Sequence, residues 1–412
     1  MKKSLVLCSL LCLLFAFCTA QSVPPAPASA PVIYPGAYQT SAYLPLLKGK
    51  RVAVFANQTS VIGSRHLVDS LLQLGIDIVR IFGPEHGFRG TADAGAHIAS
   101  YTDKQTGIPV VSLYGKKNKP AAEDLQDVDI MLFDLQDVGV RFYTYISSLQ
   151  DYMESAIAYN KPLLVLDRPN PNGFYVDGPV LDRKYSSHIG MQPIPVVYGM
   201  TIGEYAQMLL GEHWLTTLPS KGKGFSLKVI PCNNYTHKSL YQLPVKPSPN
   251  LPDMATIYLY PSTCFFEGTV LSEGRGTEHP FAIFGHPSLS DTLFAFTPIK
   301  KDGATSPKLQ DKLCHGWNIY NTAPAVLQQL KGQLRVHWLL QAYEAFPDKE
   351  SFFIAAKSGK TEDYFFNKLA GNNHLMQQLI QGFSEQEIRA GWQADLAAFK
   401  KIRKKYLLYA DF

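Results

Sequence analysis

The stretch Ile76-Asp77-Ile78-Val79-Arg80-Ile81-Phe82 runs straight into Gly83-Pro84-Glu85-His86-Gly87-Phe88-Arg89-Gly90. The first part is mainly apolar and reads as a buried strand. Glycines and a proline then break it and force a loop. In an open α/β sheet, the loop beyond a strand's carboxyl end is where ligands bind. Glu85 and His86 are the side chains here best suited to proton transfer, and both sit on that loop. A tight turn with a capping Glu and an exposed His would use the same residues, so the surrounding chain has to decide.

Working outward, residues 50–55 read as a strand followed by the polar loop Ala56-Asn57-Gln58-Thr59-Ser60. Residues 64–74 place Leu67, Leu71 and Leu74 at helical spacing and stop at Gly75. Residues 108–113, 128–133, 162–166 and 194–198 are further strand-like runs, and residues 145–159 have a helical pattern. Strands alternating with helices predict an α/β fold with a Rossmann-like, mostly parallel sheet covered on both faces. Each strand end carries a polar cluster. The first offers Asn57 and the second Glu85. The third offers Asp134, Gln136, Asp137, Arg141 and Tyr143, and the fourth Asp167, Arg168, Asn170 and Asn172. Together they would line the ligand-binding edge of one sheet.

A composition shift at the prolines of residues 244–252 suggests a domain border. The expected organisation is a Rossmann-like domain over residues 45–224 and a second, smaller α/β domain over residues 225–412. The latter opens with a strand at 225–230. Its densest polar stretch is Phe266-Glu267-Gly268-Thr269 to Ser272-Glu273-Gly274-Arg275-Gly276-Thr277. Glycine on both sides of Arg275 implies a backbone that bends sharply or admits a close neighbour. The basic run Lys400, Lys401, Arg403, Lys404 and Lys405 ends a helical pattern, where cations suit the helix dipole, and is expected to be a solvated face.

The first twenty residues have the form of a secretory signal peptide. Lys2 and Lys3 precede an apolar core at residues 5–17, and Ala20 closes a small-residue cleavage site. Acylation at Cys18 is the alternative. Residues 21–44, rich in Pro, Ala and Ser at first, read as a tether. Without the two lysines the formal charge falls from +5 to +3, which gives no argument for nucleic acid. Cys232, Cys264 and Cys314 remain after cleavage, so at most one disulfide can form. Such sparse cysteine use fits a periplasm. No later stretch is apolar enough to span a bilayer.

No G-x-G-x-x-G follows the first strand and no G-x-x-x-x-G-K-[ST] occurs, so no nucleotide cofactor is expected. Metal-ligand spacing and a G-x-S-x-G elbow are likewise missing, and no metal is expected. What abounds is loop carboxylates: Glu85, Asp134, Asp137, Asp167, Glu267 and Glu273. Paired carboxyls flanking the scissile bond are what glycoside hydrolysis requires. An exported sugar-binding protein without catalysis would show the same polar rim.

The ordered set of motifs is more specific. Gly83-Pro84-Glu85-His86-Gly87 is followed by Asp134-Leu135-Gln136-Asp137-Val138-Gly139, with Arg141 and Tyr143. Asp167-Arg168-Pro169-Asn170-Pro171-Asn172-Gly173 and Gly199-Met200-Thr201 come next, then Pro247-Ser248-Pro249-Asn250 and the Glu267–Arg275 region. In these the chain resembles the NamZ exo-β-N-acetylmuramidases, glycoside hydrolase family 171, formerly a domain family of unknown function. The resemblance implies release of N-acetylmuramic acid (MurNAc) from the non-reducing ends of peptidoglycan fragments stripped of peptide. MurNAc-GlcNAc saccharides would be the substrates. It also implies a cleft between the two domains, with the family's proposed catalytic glutamate at Glu85. On that basis Glu85 is expected to be the general acid, with Glu273 or Asp137 as partner and His86 orienting it. Arg141, Arg168 or Arg275 would pair with the lactyl carboxylate. Asn57, Asp134, Tyr143, Asp167, Asn170, Asn250 and Glu267 would contact the sugar. Retention, inversion and assistance by the N-acetyl group all remain open at this stage.

Overall fold

The computed structural model describes residues 31–85, 87–89, 99–217, 219 and 224–412. Five strands of the main sheet precede the long helix at Tyr145–Ala158: β1 (Arg51–Ala56), β2 (Asp77–Gly83), β3 (Tyr101–Thr102), β4 (Pro109–Ser112) and β5 (Ile130–Asp134); a two-residue hairpin, Val61–Ile62 with Arg65–His66, lies between β1 and β2. After it come β6 (Leu163–Leu166), β7 (Asp177–Val180), β8 (Pro195–Val197) and β9 (Leu227–Ile230). Among the described residues, a seven-stranded sheet runs β9-β6-β5-β1-β2-β4-β3. Every neighbouring pair in it is parallel except the short edge pair β3–β4.

Strand residues alternate between two cores, as a pleated sheet buried on both faces demands. Val52, Val54 and Ala56 of β1 join one cluster with Tyr43 and Leu47 of α1 (Thr40–Leu47) and Leu67, Val68 and Leu71 of α2 (Leu67–Gln73). Ala53 and Phe55 face the opposite cluster, with Leu149, Tyr152 and Met153 of α3 (Tyr145–Ala158) and Tyr205 and Leu209 of α4 (Ile202–Gly211). Thr201 caps α4 reciprocally with Glu204, as its spacing predicts. The chain winds outward from β1 through β2 to β4, then returns to β1's other side at β5. That reversal opens a crevice at the carboxyl ends of β1 and β5, with β2 beside it.

Three sequence expectations need correction. The border near residue 225 falls inside the sheet, because β9 pairs in parallel with β6 and forms its edge. The strand at 194–198 leaves the main sheet: β8 pairs antiparallel with β7 in a separate ribbon. The tether is shorter than residues 21–44, since α1 begins at Thr40, Ala37 is buried, and Gly36 donates from its backbone to the Asp167 carbonyl at 2.8 Å.

The rest of the chain carries α5 (Met254–Thr263) and an antiparallel sheet of β10 (Ile283–His286), β11 (Phe294–Phe296) and β12 (Cys314–Asn318), ordered β10-β12-β11. Helices α6 (Ala323–Leu330), α7 (His337–Ala345), α8 (Phe365–Ala370), α9 (His374–Ile380), α10 (Glu385–Ala390) and α11 (Gln393–Arg403) follow. The chain end then straps back onto the first lobe. Arg403 is buried rather than solvated. It donates to the Gly199 carbonyl at 2.7 and 2.9 Å and pairs with Asp411. Ile33–Phe412 is accordingly one compact unit.

Candidate active site

The loop after β2 is built to hold Glu85 at the sheet's rim. Gly87 donates to the Pro84 carbonyl at 2.9 Å with φ of 76°, a left-handed value that suits glycine. A Cβ on Gly83 would stand 3.0 Å from the Phe88 nitrogen, a tight contact that the turn could take only by shifting a few tenths of an ångström. Phe88 is fully buried and anchors the turn from below, and Arg89 pairs with Asp103 at 2.9 Å. Glu85 is left half-buried, facing a cleft of about 850 Å³ that includes space open to solvent.

Two walls meet at this cleft. From the sheet side come Glu85, Tyr114 beyond β4, Tyr143 and Tyr145 at the start of α3, and His188 and Ile189. From the other side come Ser248, Tyr260 of α5, Glu267, Arg275 and Phe281. Burial, together with the adjacent Glu85 carboxylate, pushes the Tyr114 phenol up to about 12. Burial holds the His188 imidazole below its usual range, against the opposing pull of Glu85, so it is neutral at neutral pH.

The far wall is charged. Arg275 is ion-paired with Glu267 and lies 3.2 Å from Glu273, whose other oxygen is 3.1 Å from Lys308. Burial would raise the Glu273 carboxyl, but Lys308 and Arg275 outweigh it and hold it below the ordinary range. Lys308 also donates to the carbonyls of Phe266, Thr269 and Leu271 at 2.7–3.0 Å, locking the turn that presents Glu267. The glycines beside Arg275 are sterically required. Gly274 and Gly276 have φ of 85° and 80°, and a Cβ on either would lie 2.4 or 2.5 Å from a backbone oxygen.

Residues 52–255 match the family described as exo-beta-N-acetylmuramidase NamZ, N-terminal, and residues 258–409 match its C-terminal counterpart. The peptidoglycan beta-N-acetylmuramidase NamZ of Bacillus subtilis (strain 168) is 38% identical over 391 residues, 89% of each chain. The chain belongs to the NamZ family. Among solved structures, a DUF1343 family protein from Bacteroides fragilis NCTC 9343 is 44% identical and superposes with a TM-score of 0.82, covering 93% of this chain and all of that one. A second from the same organism is 28% identical with a TM-score of 0.71, covering 92% and 99%. The NamZ halves divide near the start of α5, and both contribute to the cleft: Glu85, Tyr114 and Tyr143 from the first, Tyr260, Glu267 and Arg275 from the second.

Of the residues expected from sequence, Glu85, Tyr143, Glu267 and Arg275 line the cleft. The other expected residues that the structure describes do not line it. Asp134 and Arg168 are buried and grip each other through two hydrogen bonds, at 2.6 and 2.8 Å. Asp167 accepts from Thr201 Oγ1, the Gly203 nitrogen and Tyr409, fixing the start of α4 and the returning chain end. Arg141 donates to the carbonyls of Pro179, Ile194 and Leu369. Asn170 donates to the Met200 carbonyl, and Asn250 to that of Gly303, each at 2.8 Å. Asn57 holds Tyr145 by donating to its hydroxyl at 2.7 Å. Asp137 accepts from Tyr198 and from the Gly139 nitrogen, and burial pushes its carboxyl up to about 7. Glu273 stands behind Arg275. His86 lies outside the described residues.

Tyr114 and His188 escaped the sequence reading. Tyr114 follows a strand that was recognised, so the strand-end rule extended to residues 108–113 finds it. His188 follows no strand and had no signal. Among the described residues, no three His, Cys, Asp or Glu side chains are grouped to hold a metal. Cys232, Cys264 and Cys314 are buried free thiols.

Proposed function

We propose that the protein releases MurNAc from the non-reducing ends of peptide-free peptidoglycan fragments, with Glu85 as general acid. The observation that carries this reading is the position of Glu85. It is a half-buried carboxyl on the rim of the parallel sheet, in the cleft that both NamZ halves line. Membership of the family supplies the reaction class.

Glu85 would deliver its proton to the glycosidic oxygen as the bond to the anomeric carbon breaks. Glu267 is the other carboxylate lining the cleft among the described residues, and it takes precedence over Glu273 and Asp137 as the second acidic group at the sugar. Glu267 is ion-paired with Arg275, while Glu85 lies beside Tyr114 and His188. Of the three arginines considered for the lactyl carboxylate, Arg275 alone lines the cleft. Tyr143, Tyr260 and Phe281 supply aromatic lining to the cleft. Lys2 and Lys3, the apolar core after them and Ala20 support export to a periplasm, where such fragments arise.

The test is incubation of the mature protein with MurNAc-GlcNAc and detection of free MurNAc by mass spectrometry. Release is expected, falling by about 10²- to 10⁴-fold in Glu85→Gln, the range for a lost general acid. Binding of the disaccharide by calorimetry without release would overturn the reading. So would equal turnover of the disaccharide by Glu85→Gln.

A further inference from the structure

His188 occupies the tip of a tight hairpin, Ser187-His188-Ile189-Gly190. Ser187 donates to the Gly190 carbonyl at 2.9 Å, and Gly190 returns the bond at 3.0 Å. Both tip side chains enter the cleft. The base of the hairpin is held from below by Arg141, whose guanidinium donates to the Pro179 carbonyl at 2.9 Å and the Ile194 carbonyl at 2.8 Å. These two carbonyls are the feet of the excursion that carries His188. A third bond, 2.7 Å to the Leu369 carbonyl, ties the same guanidinium to α8. Gly190 packs directly on this anchor: a Cβ there would lie 2.7 Å from Leu181 Cδ1 and 3.3 Å from Arg141 Nε.

A fully buried arginine held only by carbonyls is a costly device. Burial pushes Arg141 down to about 9, the mark of a charge with no counter-ion among the described residues to offset its desolvation. The clasp fixes one loop tip, and what that tip brings to the cleft beside Glu85 is an imidazole. A cation there would favour the ionised carboxylate and oppose proton donation. A neutral imidazole can hydrogen-bond the acid without that penalty.

We propose that His188 is a positioning residue for Glu85, orienting the protonated carboxyl toward the glycosidic oxygen, and that Arg141 holds the tip in register. The inference rests on Glu85 being the general acid. In the step, the Glu85 proton moves to the leaving oxygen as its bond to the anomeric carbon breaks, and a water whose oxygen finally bonds that carbon gives up the proton that restores Glu85 after turnover. Glu85 is left as carboxylate, and His188 keeps its own proton count. The other groups facing this point are Tyr114, Tyr143, Tyr145, Glu267 and Arg275.

The experiment compares two substrates. MurNAc-GlcNAc needs a proton on its leaving oxygen, whereas 4-nitrophenyl MurNAc departs without one. For His188→Ala, kcat/KM on the disaccharide is expected to fall by about 10- to 100-fold, part of the 10²- to 10⁴-fold that a general acid contributes. The loss on the nitrophenyl substrate should be at least about tenfold smaller, following the pattern of Glu85→Gln. His188→Gln, which keeps a hydrogen-bonding group, should recover part of the loss. Gly190→Ala, which disturbs the clasp, should reproduce the substrate pattern in milder form. Equal losses on both substrates, or none, would overturn the role of His188. A wild-type protein that releases no MurNAc, or a fully active Glu85→Gln, would instead overturn the reading beneath it.

Discussion

Replacing Gly274 with alanine tests whether the far wall of the cleft is as tightly fixed as its geometry implies. Two costs can be separated. Gly274 has φ of 85°, and a residue with a Cβ in the left-handed region costs about 1–2 kcal/mol. In addition, the new Cβ would stand 2.4 Å from the Ile283 carbonyl and 3.2 Å from that of His279. Ile283 cannot easily withdraw. It begins β10, and its neighbour Gly285 exchanges two hydrogen bonds with Ser272, at 2.8 and 3.1 Å. Forcing an atom into such a site adds about 1–3 kcal/mol. Gly382→Ala isolates the first cost, because Gly382 has φ of 74° and nothing within 4 Å of its would-be Cβ. Urea unfolding should place Gly274→Ala about 1–3 kcal/mol below Gly382→Ala, the overpacking share alone. Activity should separate them further. Gly274 lies between Glu273 and Arg275, and displacing a substrate-positioning group by about 1 Å can cost about 100-fold. Gly382→Ala should retain normal turnover. Equal destabilisation by the two alanines would refute the claim that the strand contact constrains this loop.

The buried layer yields further expectations. Arg168→Met leaves Asp134 buried without its partner and should destabilise by about 3–5 kcal/mol, the cost of breaking a buried pair. Arg168→Met with Asp134→Asn should be less destabilised than Arg168→Met alone when both are unfolded in urea, since no charge is stranded. Asp137 gives a pH signature. Its carboxyl is pushed up to about 7 in the fold, against about 3.9 in the unfolded chain, so between those values the native state holds a proton that the unfolded state has released. The stability it contributes is fully present below about pH 4 and is lost as pH rises through about 7. Relative to Asp137→Asn, the wild type should lose on the order of 4 kcal/mol between pH 4 and 8, from a shift of about 3 pH units. A pH-independent difference between the two would contradict the burial argument.

The sheet was legible because its strands are buried on both faces and read as apolar runs, with Val52, Val54 and Ala56 on one side and Ala53 and Phe55 on the other. Glu85 was legible because a glycine-rich break follows such a run. What the pattern could not separate was depth. Asp134 and Arg168 end adjacent strands, and nothing in their order says that they satisfy each other and never reach the cleft. The same holds for Asn57, which serves Tyr145, and for Asp137, which serves Tyr198 and the Gly139 turn. Strand β9 was recognisable as a strand, but its partner residues in β6 lie 64 positions earlier, Leu227 facing Leu163, and pairing at that range has no local signature. His188 depends on a hairpin whose register is set by Arg141 and Gly190, residues that are distant in sequence and legible only together.

Arg141 and Arg275 show what would have resolved the ambiguity. Both sit in glycine-containing motifs, and both suit a carboxylate ligand. Their surroundings differ in kind. Among the described residues, the Arg141 guanidinium donates only to backbone carbonyls, which align its fork without neutralising it, and burial pushes it down to about 9. Burial would lower Arg275 too, but Glu267 and Glu273 outweigh it and hold Arg275 above its usual range, with the Phe281 ring 4.8 Å beneath the guanidinium. Carbonyls are fixed to the fold, so an arginine that has them as its only partners can serve just to hold segments together. Carboxylate side chains can rotate and yield, so an arginine paired with Glu267 at the edge of a cleft can exchange that partner for the carboxylate of a ligand. For these two arginines the acceptor type together with the place at the cleft edge separates clamp from recognition group; Arg168, paired with a carboxylate but buried away from the cleft, shows that the acceptor alone does not. That information exists only once the chain has folded.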